Sequence, residues 1–75
     1  MKAAYQDYYR KMGMNIAYYR RMQNLTQEAL GAKLSIDQTH MSKIEMASVG
    51  ISLDMLFAIA EALNVQPNKF LEFRD

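Results

Sequence analysis

The stretch Thr26–Glu45, TQEALGAKLSIDQTHMSKIE, constrains this chain more than any other. Its spacing predicts two short helices joined by a tight turn. Thr26 is placed to cap the first, because its hydroxyl can accept from an orphan N–H of the opening turn. Glu28 and Ala29 favour helix, and Leu30 and Leu34 fall on one face. Ser35-Ile36-Asp37 breaks the pattern, and Asp37 can cap the next segment in its turn. In that segment Met41 and Ile44 supply an apolar stripe, which leaves Gln38, Thr39, Ser42 and Lys43 facing away from it. Gly31, with no side chain, marks a place where a partner helix can come very close.

The flanks continue the helical pattern. Residues 1–11 contain Tyr5, Tyr8 and Tyr9 and either extend the first helix or form a separate arm. Packing on their own domain is the simpler role for these tyrosines, and a dimer surface is the functional one. Gly13 marks a boundary or a close contact, and after it Ile16, Tyr19 and Met22 recur on one helical face. Gln23-Asn24 ends that helix, and Leu25 is placed as a hydrophobic staple onto the next. Beyond a loop at Met46–Ile51, Ser52 caps a fourth helix whose Leu53, Leu56, Ile59, Ala60 and Leu63 repeat at helical spacing. Asn64 tolerates the left-handed conformation of a helix stop, and Pro67 suits the first turn of a fifth short helix bearing Phe70, Leu71 and Phe73. The methionines are expected to fill gaps in the core. The expected fold is all-α: five helices around one core at about residues 13–71, in a single domain spanning 1–75.

Composition narrows the function by exclusion. The chain has no cysteine and one histidine, His40, so neither disulfides nor a metal site is expected. It has no Gly-rich phosphate loop, its carboxylates are scattered, and enzymatic activity and cofactors are not expected. No apolar run approaches a membrane span or a signal-peptide core, which suits the cytoplasm. Net charge is only +1, yet it is unevenly placed. Residues 1–43 hold seven bases (Lys2, Arg10, Lys11, Arg20, Arg21, Lys33, Lys43) against three acids (Asp7, Glu28, Asp37), a net +4. Residues 44–75 hold two bases (Lys69, Arg74) against five acids (Glu45, Asp54, Glu61, Glu72, Asp75), a net −3. A basic front half and an acidic back half suit a one-sided electrostatic footprint.

The spacing over Thr26–Glu45 is similar to the helix-turn-helix of the phage Cro/repressor-like family of DNA-binding domains, the Cro/C1-type or xenobiotic-response-element family. Leu30, Leu34, Ile36, Met41 and Ile44 match its apolar positions, Gly31 its small position and Gln27 the Gln opening its first motif helix. Lys43-Ile44-Glu45 resembles its "(Arg/Lys)-Ile-Glu" ending, and Gly13–Arg20 its "Gly-x-x-Ile-Arg-x-x-Arg", with Ala17 in place of the usual base. "Ile-Ala-Glu-Ala-Leu-Asn-Val" and then Phe70-Leu71 resemble its last two helices. Ser35 and Ala47 stand where the family has Gly, and Ile51 where Pro is common. A positive φ at Ser35 then costs roughly 1–2 kcal/mol. The resemblance implies a lambda-repressor-like fold. It also implies that Arg20 turns inward to pair with Glu45, a structural role that suits a carboxylate at the end of an apolar seam.

Duplex DNA needs donors that fix register on phosphates and side chains that reach base edges. A helix starting at Asp37 places Gln38, Thr39 and His40 deepest in the major groove, with Ser42 and Lys43 one turn further on. Gln38 can contact adenine bidentately, Lys43 can reach guanine and the Thr39 methyl can touch thymine. A phosphate-facing His40 strengthens binding on protonation. Gln27, with Thr26 beside it, is placed for phosphate with a helix dipole behind it, as are backbone N–H groups near Gly50-Ile51. By resemblance, Gln38, Thr39 and Lys43 match the base-reading positions, and Gln27 and Ser42 the phosphate contacts. Singly, each is an ordinary surface residue; the shared frame gives them meaning. The expected function is a transcriptional regulator that binds double-stranded DNA as a homodimer, without small-molecule ligand or membrane. The alternative is a protein-interaction module of the same fold that binds another regulator through its tyrosines and methionines.

Overall fold

The computed structural model describes residues 2–73. A 3-10 turn at Ala3–Tyr5 leads into α1 (Gln6–Met22), followed by α2 (Gln27–Lys33), α3 (Gln38–Glu45) and α4 (Leu53–Leu63), and the chain closes on a second 3-10 segment, Pro67–Leu71. The expected fifth helix is therefore this 3-10 segment, opened by Pro67 and too short for α-helical pairing to propagate. Helix α1 is the spine, touching α3, α4 and the closing segment, while α2 packs on α3. Ile16, Leu30, Met41, Ile59, Leu63 and Phe70 are fully buried where these elements meet, with Ile44 beside them. Tyr19 meets the Phe70 ring edge-on at 5.8 Å, which seats the closing segment on α1.

Three helices start with side-chain caps: Thr26 Oγ1 accepts from Ala29 N, Asp37 Oδ1 from His40 N, and Ser52 Oγ from Met55 N. All four α-helices stop by one device, and none uses glycine for it. Asn24, Ser35, Ala47 and Asn64 have φ of 58°, 59°, 60° and 54°. The following N–H reaches back to close each helix, as Ile36 N does to the Gly31 carbonyl at 2.9 Å and Ser48 N to that of Lys43 at 3.0 Å. Ser35 bears the cost of a side chain in the left-handed region, so Ser35→Gly is expected to stabilise the fold by about 1 kcal/mol. The check is a thermal melt in which the variant rises by about 4–8 °C; a fall contradicts the turn geometry.

Both interior glycines mark backbone contacts. Gly13 lies within α1, not at a boundary, and a Cβ there would run into the Glu45 carbonyl oxygen, with Glu45 C at 2.9 Å and the Ile44 carbonyl oxygen at 3.0 Å. Gly31 is approached by the turn rather than by a helix: a Cβ there would lie 2.7 Å from the Ile36 carbonyl oxygen. Polar side chains of α1 and of Gln23, which caps its C-terminus, then tie down carbonyls from the rest of the chain. Gln6 donates to Ala47, Asn15 to Phe70 and Glu72, and Gln23 to Leu63.

The methionines depart from expectation. Met12 and Met41 are core residues, but Met14, Met22 and Met46 are 63%, 62% and 69% exposed. The same helix that buries Met12 and Ile16 turns Met14 and Met22 outward, and Met46 lies beyond the last turn of α3.

Candidate nucleic-acid interface

Helix α3 has two distinct faces. Met41 and Ile44 are buried against the body, and Glu45 is buried at its C-terminus. Gln38, Thr39, His40 and Lys43 are exposed. The Asp37 cap leaves the first turn open to solvent and ordered at the same time. Ser42 is half-buried, its hydroxyl turned back to Met46 Sδ at 3.5 Å. Thr26 and Gly50 are exposed, and Gln27 is half-buried at the start of α2.

Behind this surface lies a charged pair. Arg20 and Glu45 retain only 7% and 8% of their exposure. Arg20 Nε donates to Glu45 Oε2 at 2.6 Å, Nη2 to Oε1 at 2.9 Å, and Nη1 to the Leu25 carbonyl at 2.8 Å. The bidentate geometry joins α1 to the end of α3 and satisfies a guanidinium that burial would otherwise penalise.

A polar chain connects this pair to the exposed face. Gln27 Nε2 donates to Glu45 Oε1 at 3.0 Å, and Gln38 Nε2 approaches Gln27 Oε1 at 3.5 Å. One N–H of Gln27, expected from sequence as a phosphate donor, is thus directed inward, leaving its second N–H for other partners. The shallow cleft at this point is lined by Arg20, Arg21, Thr26, Gln27, Glu28 and Gln38. Arg21 was missed in the sequence reading. It is exposed where Arg20 is buried: adjacent helix positions face different ways, and which of the two faces out is set by the side of α1 that the body occupies.

A family profile described as Helix-turn-helix matches residues 16–70. The control protein C.BamHI of Bacillus amyloliquefaciens is 38% identical over 50 residues, a match covering 67% of this chain and 62% of that protein. The chain therefore aligns with less than two thirds of that relative's length. The crystal structure of the restriction-modification controller protein C.AhdI from Aeromonas hydrophila superposes with a TM-score of 0.83, covering 88% of this chain and 96% of that one at 23% identity. That likeness speaks for the fold. Among the described residues, no helix is long and apolar enough to cross a membrane. On the residues matched and the architecture around them, the chain belongs to the helix-turn-helix family, as a Cro/C1-type DNA-binding domain.

Proposed function

We propose that the protein is a sequence-specific transcriptional regulator that reads the DNA major groove with α3. The observation that carries this is the division of α3, with Met41 and Ile44 holding its back while Gln38, Thr39, His40 and Lys43 stay exposed. Gln38 reads adenine, Lys43 reads guanine, Thr39 contacts a thymine methyl and His40 supplements them. Gln27, Ser42, Thr26, the Gly50 backbone and Arg21 fix register on phosphates. The likeness to control proteins supports a role in regulating genes, exercised in the cytoplasm alongside the DNA.

The domain is 31 Å in its longest extent, whereas successive half-sites on one face of the duplex lie about 34 Å apart. One copy reads one half-site, so the functional unit on a two-fold operator is a homodimer. A rival reading, a module that binds another regulator, draws on the exposed Met14, Tyr18, Met22 and Met46. A salt series with random duplex separates the two. A DNA reader gives a negative log–log slope, each neutralised phosphate adding about 0.9 to its magnitude; a protein-interaction module binds little duplex at any salt. With a selected site, Gln38→Ala is expected to cost about 1–3 kcal/mol and to relax preference at one base pair. Equal weakening on every sequence contradicts the assignment.

A further inference from the structure

We propose that Glu45, at the far end of the reading helix, is a positioning residue for base recognition as well as half of an ion pair. It fixes which way round the Gln27 amide lies, and through Gln27 it decides which edge Gln38 offers to a base. The inference rests on the DNA-reading proposal above and extends it to a residue that touches no DNA.

A carboxylate held by a guanidinium only accepts, so the amide end that faces Glu45 Oε1 at 3.0 Å must be the NH2 of Gln27. With the NH2 turned inward, Gln27 Oε1 is left pointing toward Gln38. Gln38 meets an acceptor there and turns its own NH2 to it, across 3.5 Å. One Gln38 N–H is then committed to Gln27. The other N–H and Oε1 remain, one donor beside one acceptor. That pair complements adenine, which offers N7 as acceptor and N6 as donor, and it cannot supply the two donors that guanine N7 and O6 call for. Glu45 is buried and anchored twice by Arg20, so this orientation is carried by the core.

Without an acceptor at Glu45, Gln27 turns either way, Gln38 follows, and adenine and guanine become comparable at that base pair. The experiment is selection of sites from a random duplex library. The base pair concerned is the one whose preference disappears in Gln38→Ala. Glu45→Gln leaves a single oxygen, which Arg20 claims. The double variant Arg20→Met with Glu45→Met removes the acceptor while keeping apolar volume in place of a buried pair, and Gln27→Met cuts the relay at a half-exposed site. In each variant that retains its helical circular dichroism, the preference for adenine over guanine at that base pair is expected to fall by roughly tenfold. Preferences at the base pairs read by Thr39 and Lys43 are expected to persist. A merely structural role for Glu45 weakens binding to all sequences alike, so an unchanged adenine preference in the folded Glu45 variants overturns the inference; the double methionine variant, which leaves no uncompensated charge, decides it if Glu45→Gln does not fold, and a preference lost in Gln27→Met but kept in the double variant shows that Gln27 acts without Glu45. If the wild-type protein itself selects no sequence, the DNA-reading proposal fails first, and this inference falls with it.

Discussion

Glu45→Ala is expected to remove about 3–5 kcal/mol of stability, enough to leave much of a domain this small unfolded at ambient temperature. The side chain accepts two bonds from Arg20 and one from Gln27, and Arg20 is itself nearly inaccessible to water. Alanine removes the carboxylate but not the guanidinium, which keeps only its bond to the Leu25 carbonyl. A buried, uncompensated charge is the costly outcome. Replacing both partners with methionine removes the charge together with its counterion and is expected to be close to neutral. The measurement is the midpoint of urea unfolding for the two variants and the parent. Similar losses in the single and double variants contradict an ion pair whose main stabilising role is mutual neutralisation.

The second large effect is expected at Gly13. Alanine favours helix over glycine by about 1 kcal/mol, so in an open helical position Gly13→Ala would stabilise the protein. Here the added methyl meets the backbone of Ile44 and Glu45, and backbone cannot rotate out of the way as a long side chain can. Helix α1 is also pinned on both sides of the contact, by Met12 and Ile16 in the core and by Arg20 on Glu45. Overpacking of this kind costs about 1–3 kcal/mol, which outweighs the propensity gain, and Gly13→Val is expected to cost more. Because the displaced element is the end of α3, the loss should be accompanied by weaker DNA binding in whatever fraction remains folded. A Gly13→Ala protein that melts above the parent contradicts the close packing of α1 on α3.

What the sequence made legible is what local chemistry determines. Thr26, Asp37 and Ser52 were readable as caps because each is a short oxygen-bearing side chain before an apolar helical pattern, and the capping bonds span only three residues. Asn64 was readable as a helix stop because Asn tolerates the left-handed region, whereas the positive φ at Ser35 was expected only from the family's Gly at that position. The pairing of Arg20 with Glu45 was expected from the family resemblance and from the discomfort of a carboxylate in an apolar seam, not from spacing alone. The remainder needed the third dimension. Asn15 donates to carbonyls more than fifty residues away, and Gln23 and Gln6 reach across forty or more. No periodicity encodes such partners. The outward facing of Met14 and Met22 depends on which side of α1 the body occupies, and the difference between Arg20 and Arg21 does too. Pro67 correctly marked a helical start, but neither the 3-10 form of the segment nor the seating of Phe70 on Tyr19 is encoded in its spacing. At the candidate interface, the exposed set on α3 followed from the apolar stripe, whereas the relay from Gln38 through Gln27 to Glu45 runs from one end of α3 to the other by way of α2 and was invisible until the two helices were folded together.

On the proposed function, the exposed edge of α3 is the surface that meets DNA. Backbone-amide chemical shifts of the protein, followed on addition of a duplex obtained by selection, test it most directly. The account predicts that the largest changes fall on residues 37–43, with a second set at residues 26 and 27, while α4 moves little apart from any dimer contact. Changes confined to α4 or to the exposed methionine face of α1, with Gln38, Thr39 and Lys43 unaffected at saturation, would contradict it.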